Sequence, residues 1–232
     1  MRLPGMSQPF LLAPIAECSP GPSGAELRLA VLGARGVGKS ALIVRFLTKR
    51  FIGDYEPNTG SLYSRLVRLD GEQVAVHIQD TPGCLQVQDC EQAPDALSRC
   101  MKWAEGFLVV YSITDPGSYQ AVRPLHQHIR QLHPDARIPI VVVGNKADLL
   151  HARQVQAKEG LQLASELGSL FLEISTSESS QGVCEVFQYL CREVSKLQHA
   201  ERRRPTVIPR PRSPNMQDLK RRFKQALSPR VK

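Results

Sequence analysis

Apolar residues follow two different periods along the chain, and their order predicts an α/β fold. Residues 27–32 are predicted to form a strand, and continuous apolar runs, which indicate strands covered on both faces, lie at residues 107–113 and 138–143. Helical spacing of apolar residues predicts helices at residues 41–48, about 117–132, about 154–167 and about 182–197. Strands that alternate with helices are typical of a mostly parallel sheet with helices on both sides.

Two further segments alternate apolar and polar residues, as the strands of a hairpin do. They are residues 62–69 and 73–79, and Asp70-Gly71 between them is a typical turn pair. Residues 170–174 form one more short apolar run. The sequence therefore predicts a six-stranded, mostly parallel sheet flanked by helices.

Composition divides the chain into three parts. Residues 1–26 are rich in proline and glycine and are expected to form a flexible leader. Residues 27–198 hold the alternating pattern and are predicted to be one domain. Residues 199–232 carry most of the charge: positions 201–232 hold 11 basic and 2 acidic residues, in a chain whose formal net charge is +8. A nearly neutral domain with a basic tail is expected.

Several classes of protein are excluded at this stage. No apolar run approaches the roughly 18 residues of a membrane-spanning helix. The six cysteines show no CxxC pair and no spacing typical of zinc ligands, so reduced thiols in the cytosol or nucleus are expected.

The strongest motif is Gly33-Ala-Arg-Gly-Val-Gly38-Lys39-Ser40, here called the phosphate loop, which stands between a predicted strand and a predicted helix. Its glycines let successive N–H groups point at phosphate oxygens, and the helix N-terminus adds positive potential. Lys39 is expected to reach the β- and γ-phosphates, and the Ser40 hydroxyl to bind Mg²⁺. The motif predicts a nucleoside triphosphate site.

Two further motifs follow predicted strands. Asp80-Thr-Pro-Gly83 can place a carboxylate near the metal and a glycine N–H near the γ-phosphate. Asn145-Lys146-Ala-Asp148, here called the base motif, can offer guanine a carboxylate that accepts from N1–H and the exocyclic amine, a pattern that adenine cannot match.

These three motifs together resemble the Ras superfamily of small GTPases, which are P-loop NTPases, over residues 27 to about 197. The segment from Phe51 to Thr59 and the tail resemble the unprenylated Ras-like eleven subgroup. The resemblance implies a Ras-like G domain that acts as a monomeric, Mg²⁺-dependent GTP/GDP switch. It also implies an unidentified effector at residues 53–63 and 80–95.

The resemblance further implies the site residues. Phe51 would lie against guanine, and Ser175 and Thr176 belong to a stretch like the last base-contacting loop. The metal would be held by Ser40, Thr59 and Asp80, and catalysis would involve Lys39 and Gly83. The full predicted nucleotide-binding set is Gly33, Ala34, Arg35, Gly36, Val37, Gly38, Lys39, Ser40, Ala41, Phe51, Asp80, Thr81, Gly83, Asn145, Lys146, Asp148, Ser175 and Thr176.

The sequence departs from the family pattern at three places. Cys84 stands where Ras proteins carry the glutamine that orients the attacking water, and a thiol lacks an amide's paired donor and acceptor. Arg35 stands where Ras proteins have glycine, and a side chain there obstructs an activating protein's arginine finger. The metal-ligating threonine falls on Asn58 by count, so Thr59 fits only with one inserted residue.

The first two departures predict very slow hydrolysis that ordinary Ras activators cannot accelerate. Two alternatives stay open: Arg35 points to solvent while Gln86 or Gln88 replaces the missing glutamine, or Arg35 supplies charge in cis. A different class of function is a constitutively GTP-bound interaction module with negligible hydrolysis, whose basic tail contacts nucleic acid or an anionic membrane.

No lipid anchor is expected, because no cysteine follows Cys191 and the chain starts Met1-Arg2. Ser213-Pro214 could begin an amphipathic helix with basic residues around one apolar stripe. The basic clusters predict the nucleus or nucleolus, with nucleic-acid or nuclear-protein contact through residues 202–232. The alternatives are the cytoplasm, with a disordered tail, or peripheral membrane attachment.

Overall fold

The computed structural model describes residues 26–50, 61–83, 94–134 and 137–202. Within the whole chain, internal contacts define two units, residues 1–198 and 199–232. The limits of the leader (residues 1–26), the domain (27–198) and the tail (199–232) remain predictions from the sequence.

The described residues form one six-stranded sheet, which confirms the predicted fold class. The strands are β1 (Glu26–Leu32), β2 (Leu62–Leu69), β3 (Glu72–Asp80), β4 (Gly106–Ser112), β5 (Ile140–Asn145) and β6 (Leu170–Glu173). Their order in the sheet is β2-β3-β1-β4-β5-β6, and only the β2–β3 pair is antiparallel among the pairs of this sheet. β1 is therefore central, and the carboxyl ends of β1, β3, β4, β5 and β6 meet at one edge.

The described part of the chain contains six α-helices. They are α1 (Lys39–Thr48), α2 (Pro94–Trp103), α3 (Pro116–Gln120), α4 (Val122–Leu132), α5 (Ala157–Glu166) and α6 (Ser180–Arg202). A short 3-10 helix spans Leu150–Ala152. None of these helices is long and apolar enough to cross a membrane.

Each face of the sheet has its own apolar core. On one face, α1 and α6 bury their apolar stripes, and Phe46 stacks on Phe187 with 4.3 Å between ring centroids. On the other face, α2, α4 and α5 cover β1, β4 and β5. All residues of β4 and β5 are buried, which is why these strands are continuous apolar runs in the sequence.

The β2–β3 hairpin forms as predicted. Asp70 and Gly71 both have positive φ, at 48° and 94°, as a two-residue turn with both central residues left-handed requires. Leu69 pairs with Glu72 directly across this turn. The Asp-Gly pair therefore sets the register of the hairpin.

Three sequence expectations need correction. Helix α2 was not expected, because it has little more than Leu97 and Met101 to mark a buried stripe and lies next to a polar segment. The helix expected at 117–132 is two helices that break at Ala121. Pro124 explains the break, because its ring would clash with the carbonyl of Gln120 in a continuous helix and is tolerated in the first turn of a new one.

The third correction concerns a polar helix face to which the sequence assigns His126, His128 and His133. The assignment is wrong for His126. The residue is only 5% exposed, and burial together with Arg130 and Arg123 lowers its pKa to about 4. His126 therefore belongs to the core side of α4 as a neutral imidazole.

The Tyr111 side chain, from β4, fills the space between β5 and α5, and a glycine in α5 makes room for it. It is fully buried, and its ring meets Tyr119 edge-on at 5.4 Å. A Cβ on Gly160, in α5, would lie 2.3 Å from the Tyr111 hydroxyl and 2.5 Å from Phe171 Cζ. The helix can approach the sheet this closely because residue 160 has no side chain.

We predict that Gly160→Ala destabilises the domain by about 1–3 kcal/mol, the usual effect of overpacking a rigid core. Alanine in place of a helical glycine ordinarily stabilises by about 1 kcal/mol, so the sign of the effect is diagnostic. Gly182→Ala in α6 is the matched control, because its Cβ would meet atoms no closer than 3.5 Å. Urea denaturation of both variants measures this, and equal stability changes would contradict the packing assignment.

Candidate nucleotide-binding site

The three sequence motifs converge at one edge of the sheet. The phosphate loop follows β1, Asp80 is the last residue of β3, and Asn145 is the last residue of β5. β3 lies beside β1, and β5 lies one strand further on the other side, beyond β4. The convergence follows from parallel strands, whose carboxyl ends share an edge.

Two glycines give the phosphate loop its shape. Gly33 has φ 144°, and a Cβ there would lie 2.1 Å from the Val110 carbonyl oxygen of β4. Gly38 has φ 98° and precedes α1, so the chain turns into the helix through a conformation that favours glycine. The loop therefore brings its backbone close to the N-terminus of α1, where N–H groups have no partner within the helix.

Lys39 is buried beneath this loop. Its Nζ donates to the carbonyl oxygens of Gly33 at 3.0 Å and Ala34 at 2.9 Å. Burial lowers the pKa of Lys39 to about 8, against the opposing attraction of Asp80, so the ammonium remains largely charged at neutral pH. The loop thus holds a positive charge in place at its centre.

Ser40 and Asp80, two of the three predicted metal ligands, lie side by side. The Ser40 hydroxyl donates to Asp80 Oδ2, and Asp80 Oδ1 is buried without a hydrogen-bond partner among the described residues. Burial raises the pKa of Asp80, although Ser40 and Lys39 oppose the shift. A hydroxyl and an unsatisfied carboxylate oxygen side by side are hard ligands of the kind that Mg²⁺ prefers, so these residues fit that ion.

Gly83 packs directly against the phosphate loop at Arg35. A Cβ on Gly83 would lie 2.4 Å from Arg35 Cα and 2.5 Å from Arg35 N. The Arg35 residue is itself exposed. The motif after β3 and the phosphate loop therefore touch through backbone atoms, at the position where the γ-phosphate is expected.

The base motif is tied to the phosphate loop by a side chain. Asn145 is 1% exposed, and its Nδ2 donates to the Val37 carbonyl oxygen at 2.8 Å. A Cβ on Gly38 would lie 2.4 Å from the same Nδ2. Gly38 is therefore needed both for its φ angle and for the space that the amide occupies.

The Asp148 carboxylate is held in place by serine hydroxyls. Ser175 Oγ donates to Asp148 Oδ1 at 2.7 Å and lies 2.9 Å from Ser177 Oγ. Although burial opposes it, hydrogen bonds from Ser175 and Ser177 and the charge of Lys146 lower the pKa of Asp148. The carboxylate is thus ionised at neutral pH and orientated as an acceptor.

Several of the remaining predicted residues lie at the same edge, with different roles. Thr81 is 4% exposed and donates its hydroxyl to the Val31 carbonyl oxygen at 2.7 Å, so its side chain anchors the loop after β3 to β1. Ala34 and Val37 are buried, Gly36 is exposed, and Ala41 lies in the first turn of α1. Other residues singled out in the sequence lie outside the described residues, as does the tail beyond residue 202; they are Phe51, Asn58, Thr59, Cys84, Gln86 and Gln88.

Sequence reasoning missed two contacts at this site. The Thr176 hydroxyl donates to Asn145 Oδ1, and the Asn145 amide crosses to the phosphate loop. Nothing in the local sequence marks either contact, because the partners are 31 and 108 residues apart. Only the pairing of β5 with its neighbours brings them together.

The expected family is confirmed by comparison with known proteins. A model of the Ras family matches residues 28–196. "Ras-like protein family member 11A" from Homo sapiens is 66% identical over 238 residues, which cover 100% of this chain and 98% of that protein. "Ras-like protein family member 11B" from Mus musculus is 54% identical over 222 residues, covering 94% and 90%. The chain therefore belongs to the Ras family of small GTPases, within the Ras-like 11 group.

Proposed function

We propose that this protein binds GTP and GDP with Mg²⁺ and acts as a slowly hydrolysing, monomeric signalling switch. The observation that carries the proposal is the convergence of the phosphate loop, the Ser40–Asp80 pair and the base motif at one edge of the sheet. The same edge thus offers groups for phosphate, for a divalent metal and for guanine.

The phosphate groups would be held by the phosphate loop and Lys39. Two of the three hydrogens on Lys39 Nζ are donated to loop carbonyls, which leaves one for a phosphate oxygen. Ser40 and Asp80, with Thr59 or Asn58, would hold Mg²⁺, which neutralises phosphate charge when bound. Gly83, against Arg35, would offer its N–H to the γ-phosphate.

Guanine would be read by Asp148. An ionised carboxylate can accept hydrogen bonds from both N1–H and the exocyclic amine, and adenine offers no such pair of donors. The hydrogen bond from Ser175 fixes the carboxylate in one orientation before the base arrives. Phe51 would supply an aromatic surface against the base.

We predict that Asp148→Asn lowers GDP affinity by on the order of 100-fold or more, because the carboxamide cannot accept two hydrogen bonds from guanine. The variant should gain affinity for xanthosine diphosphate, whose 2-carbonyl accepts from the new amide N–H. Competition of each diphosphate against fluorescent GDP measures both effects.

Asp70→Asn is the matched control for this substitution. Asp70 lies at the hairpin turn and its side chain is 80% exposed, and asparagine tolerates the same positive φ. Its base preference should equal that of the wild-type protein. If Asp148→Asn also keeps the preference for GDP over xanthosine diphosphate, Asp148 does not read the base.

Slow hydrolysis follows from Cys84 and Arg35. The water-positioning glutamine and an arginine finger together account for rate gains on the order of 10⁵ in related GTPases. This chain has a thiol at the first position and an exposed arginine at the place that such a finger would approach. The expected rate is therefore the intrinsic rate or less.

We predict that Cys84→Gln raises single-turnover GTP hydrolysis by about 10-fold, since it restores an amide that can orient water. Arg35→Gly should allow a further acceleration when a Ras-activating protein is added. Single-turnover assays with labelled GTP measure both variants, and dissociation rates of GDP serve as the control for intact binding. Wild-type rates in both variants would contradict the slow-hydrolysis hypothesis.

The rival candidate is a constitutively GTP-bound interaction module, and the missing glutamine is the observation that favours it. The identity of the nucleotide that copurifies with the protein distinguishes the two hypotheses. GDP in the purified protein supports the working switch, whereas GTP at high occupancy supports the module.

An effector would bind beside the nucleotide, at residues 53–63 and 80–95. The described part of this surface includes Leu62, which is 55% exposed on the edge strand β2. Next to it is a cleft of about 420 Å³ between α2 and the β2–β3 hairpin, with Leu62, Pro82, Leu97 and Trp103 among its lining residues. An exposed apolar side chain beside a cleft suits a protein partner.

The basic tail would decide where the protein acts. Eleven basic residues at positions 201–232 support a nuclear or nucleolar location with nucleic-acid or nuclear-protein contact. A basic amphipathic helix could instead bind an anionic membrane, and a tail that stays disordered would leave the protein in the cytoplasm.

We predict that deletion of residues 203–232 abolishes nuclear accumulation while GDP binding persists, because the deletion leaves the three nucleotide motifs intact. Imaging of tagged full-length and truncated protein measures this. Replacing Lys220, Arg221 and Arg222 by glutamine should give the same loss without shortening the chain. If the truncated protein is instead lost from the plasma membrane, the result would support attachment of the tail to an anionic membrane.

A further inference from the structure

The β2–β3 hairpin has one face that the helical layer leaves open. On the side of α2, α4 and α5, the apolar core contains residues of β1, β4 and β5 but no described residue of β2 or β3. Leu62 and Leu66 lie on this side of β2 and are 55% and 49% exposed. Two exposed leucines on one side of a strand form a patch that can bury apolar surface against a further segment.

Three cross-strand pairs form this surface, here called the hairpin face. The pairs are Leu62 with Gln79, Ser64 with His77, and Leu66 with Ala75. Ser64 Oγ lies 2.7 Å from His77 Nδ1, so the polar pair at the centre is bonded within the face. None of the three pairs contains a carboxylate or a guanidinium group. An uncharged segment can therefore cover the face without removing such an ion from water.

The hairpin face continues into the cleft of about 420 Å³ beside α2. Leu62 and Gln79 belong to both, and the cleft adds the side chains of Leu97 and Trp103. The combined surface runs along the strands and then under a helix. Such an elongated, largely apolar surface suits an extended peptide segment with several apolar side chains.

The chain itself contains a segment of this chemistry. The leader includes Pro9-Phe10-Leu11-Leu12-Ala13-Pro14-Ile15, here called the apolar block. Residues 3–16 contain no Asp, Glu, Lys or Arg, so the block matches the hairpin face in charge as well as in hydropathy. Its two prolines favour an extended backbone and reduce the entropy that docking would cost.

The leader joins the domain directly beside the hairpin face. It leads into Glu26, the first residue of β1, which pairs with Ala75 of that face. Ile15 lies 11 residues before Glu26, a length of chain that can span about 35 Å. The cleft is four residues along β3 from this point and two strands across, which is about 20 Å. The segment 19–24, Ser-Pro-Gly-Pro-Ser-Gly, has the composition of a turn and allows the reversal that this route needs.

We propose that the apolar block docks on the hairpin face and its cleft within the same chain, and so covers part of the surface at which an effector would bind. The effect on signalling rests on the proposed function, whereas the docking itself does not. A segment tethered by a short linker has an effective concentration on the order of 1 mM, so even a weak contact is occupied. An effector must then displace the leader.

The chain has a single tryptophan, Trp103, and it lines the proposed docking site. Its fluorescence therefore reports occupancy in the full-length protein. The double variant Phe10→Ser with Leu12→Ser removes two apolar side chains and should weaken docking by on the order of 100-fold. Its emission should move to longer wavelength than that of the wild-type chain, and quenching by acrylamide should increase.

Further variants make the test specific. Leu66→Ser changes the hairpin face instead of the leader and should shift the emission in the same direction, with docking weakened by about 10-fold. Leu3→Ser with Met6→Ser is the matched leader control outside the apolar block. Leu161→Ser is the matched surface control, because Leu161 is 59% exposed on α5. Both controls should keep the wild-type emission.

A synthetic peptide of residues 5–16, added to the variant with Phe10→Ser and Leu12→Ser, should restore the wild-type emission. Wild-type emission in that variant would overturn the proposal, as would an equal shift in the leader control. Quenching of the wild-type chain that falls as protein concentration rises would make a second copy the occupant and would overturn the assignment to the leader.

Failure of the proposed function would be visible separately. The nucleotide that copurifies is identified in the same samples, and a chain that holds no guanine nucleotide overturns the proposed function. Trp103 emission still decides the docking in that case, because the measurement needs no nucleotide.

Discussion

Burial of the sheet on both faces is the constraint on which the site depends. β4, β5 and the carboxyl-terminal half of β1 lie between two helical layers, so most of their side chains are apolar and their backbone groups pair with neighbouring strands. Charged and hydrogen-bonding side chains can be placed only where these strands end. Because most of the strands are parallel, their carboxyl ends share one edge, and the chemistry gathers there.

At that edge, polar side chains are satisfied mainly by one another and by backbone carbonyls. Lys39 bonds to the loop that it supports, Ser40 to Asp80, and Asn145 to two different loops. Such a network is stable only when its members are paired, since each unpaired buried group costs about 1–3 kcal/mol. Asp80 Oδ1 is a buried exception among the described residues, and it lies where a cation would complete it.

The sequence predicted the parts of the fold that carry strong local signals. Strand β1, the wholly buried β4 and β5, and the Asp70-Gly71 hairpin were all expected, because burial and turn chemistry leave regular patterns. Helix α2 was missed, since two apolar residues beside a polar segment make a weak pattern. The burial of His126 was missed because it depends on how α4 is rotated against the sheet, which the packing of neighbouring elements decides.

The candidate site likewise has features that the sequence predicts and contacts that only the tertiary structure decides. Residue order by itself determined the phosphate loop, the Asp80–Gly83 motif, the base motif and the two departures at Arg35 and Cys84, since these depend on residue type and spacing. Tertiary structure alone decided that Gly83 packs on Arg35, and that Thr176 and Val37 hold the two ends of the Asn145 amide. These partners are distant in the chain, and only the pairing of parallel strands brings them within hydrogen-bonding distance.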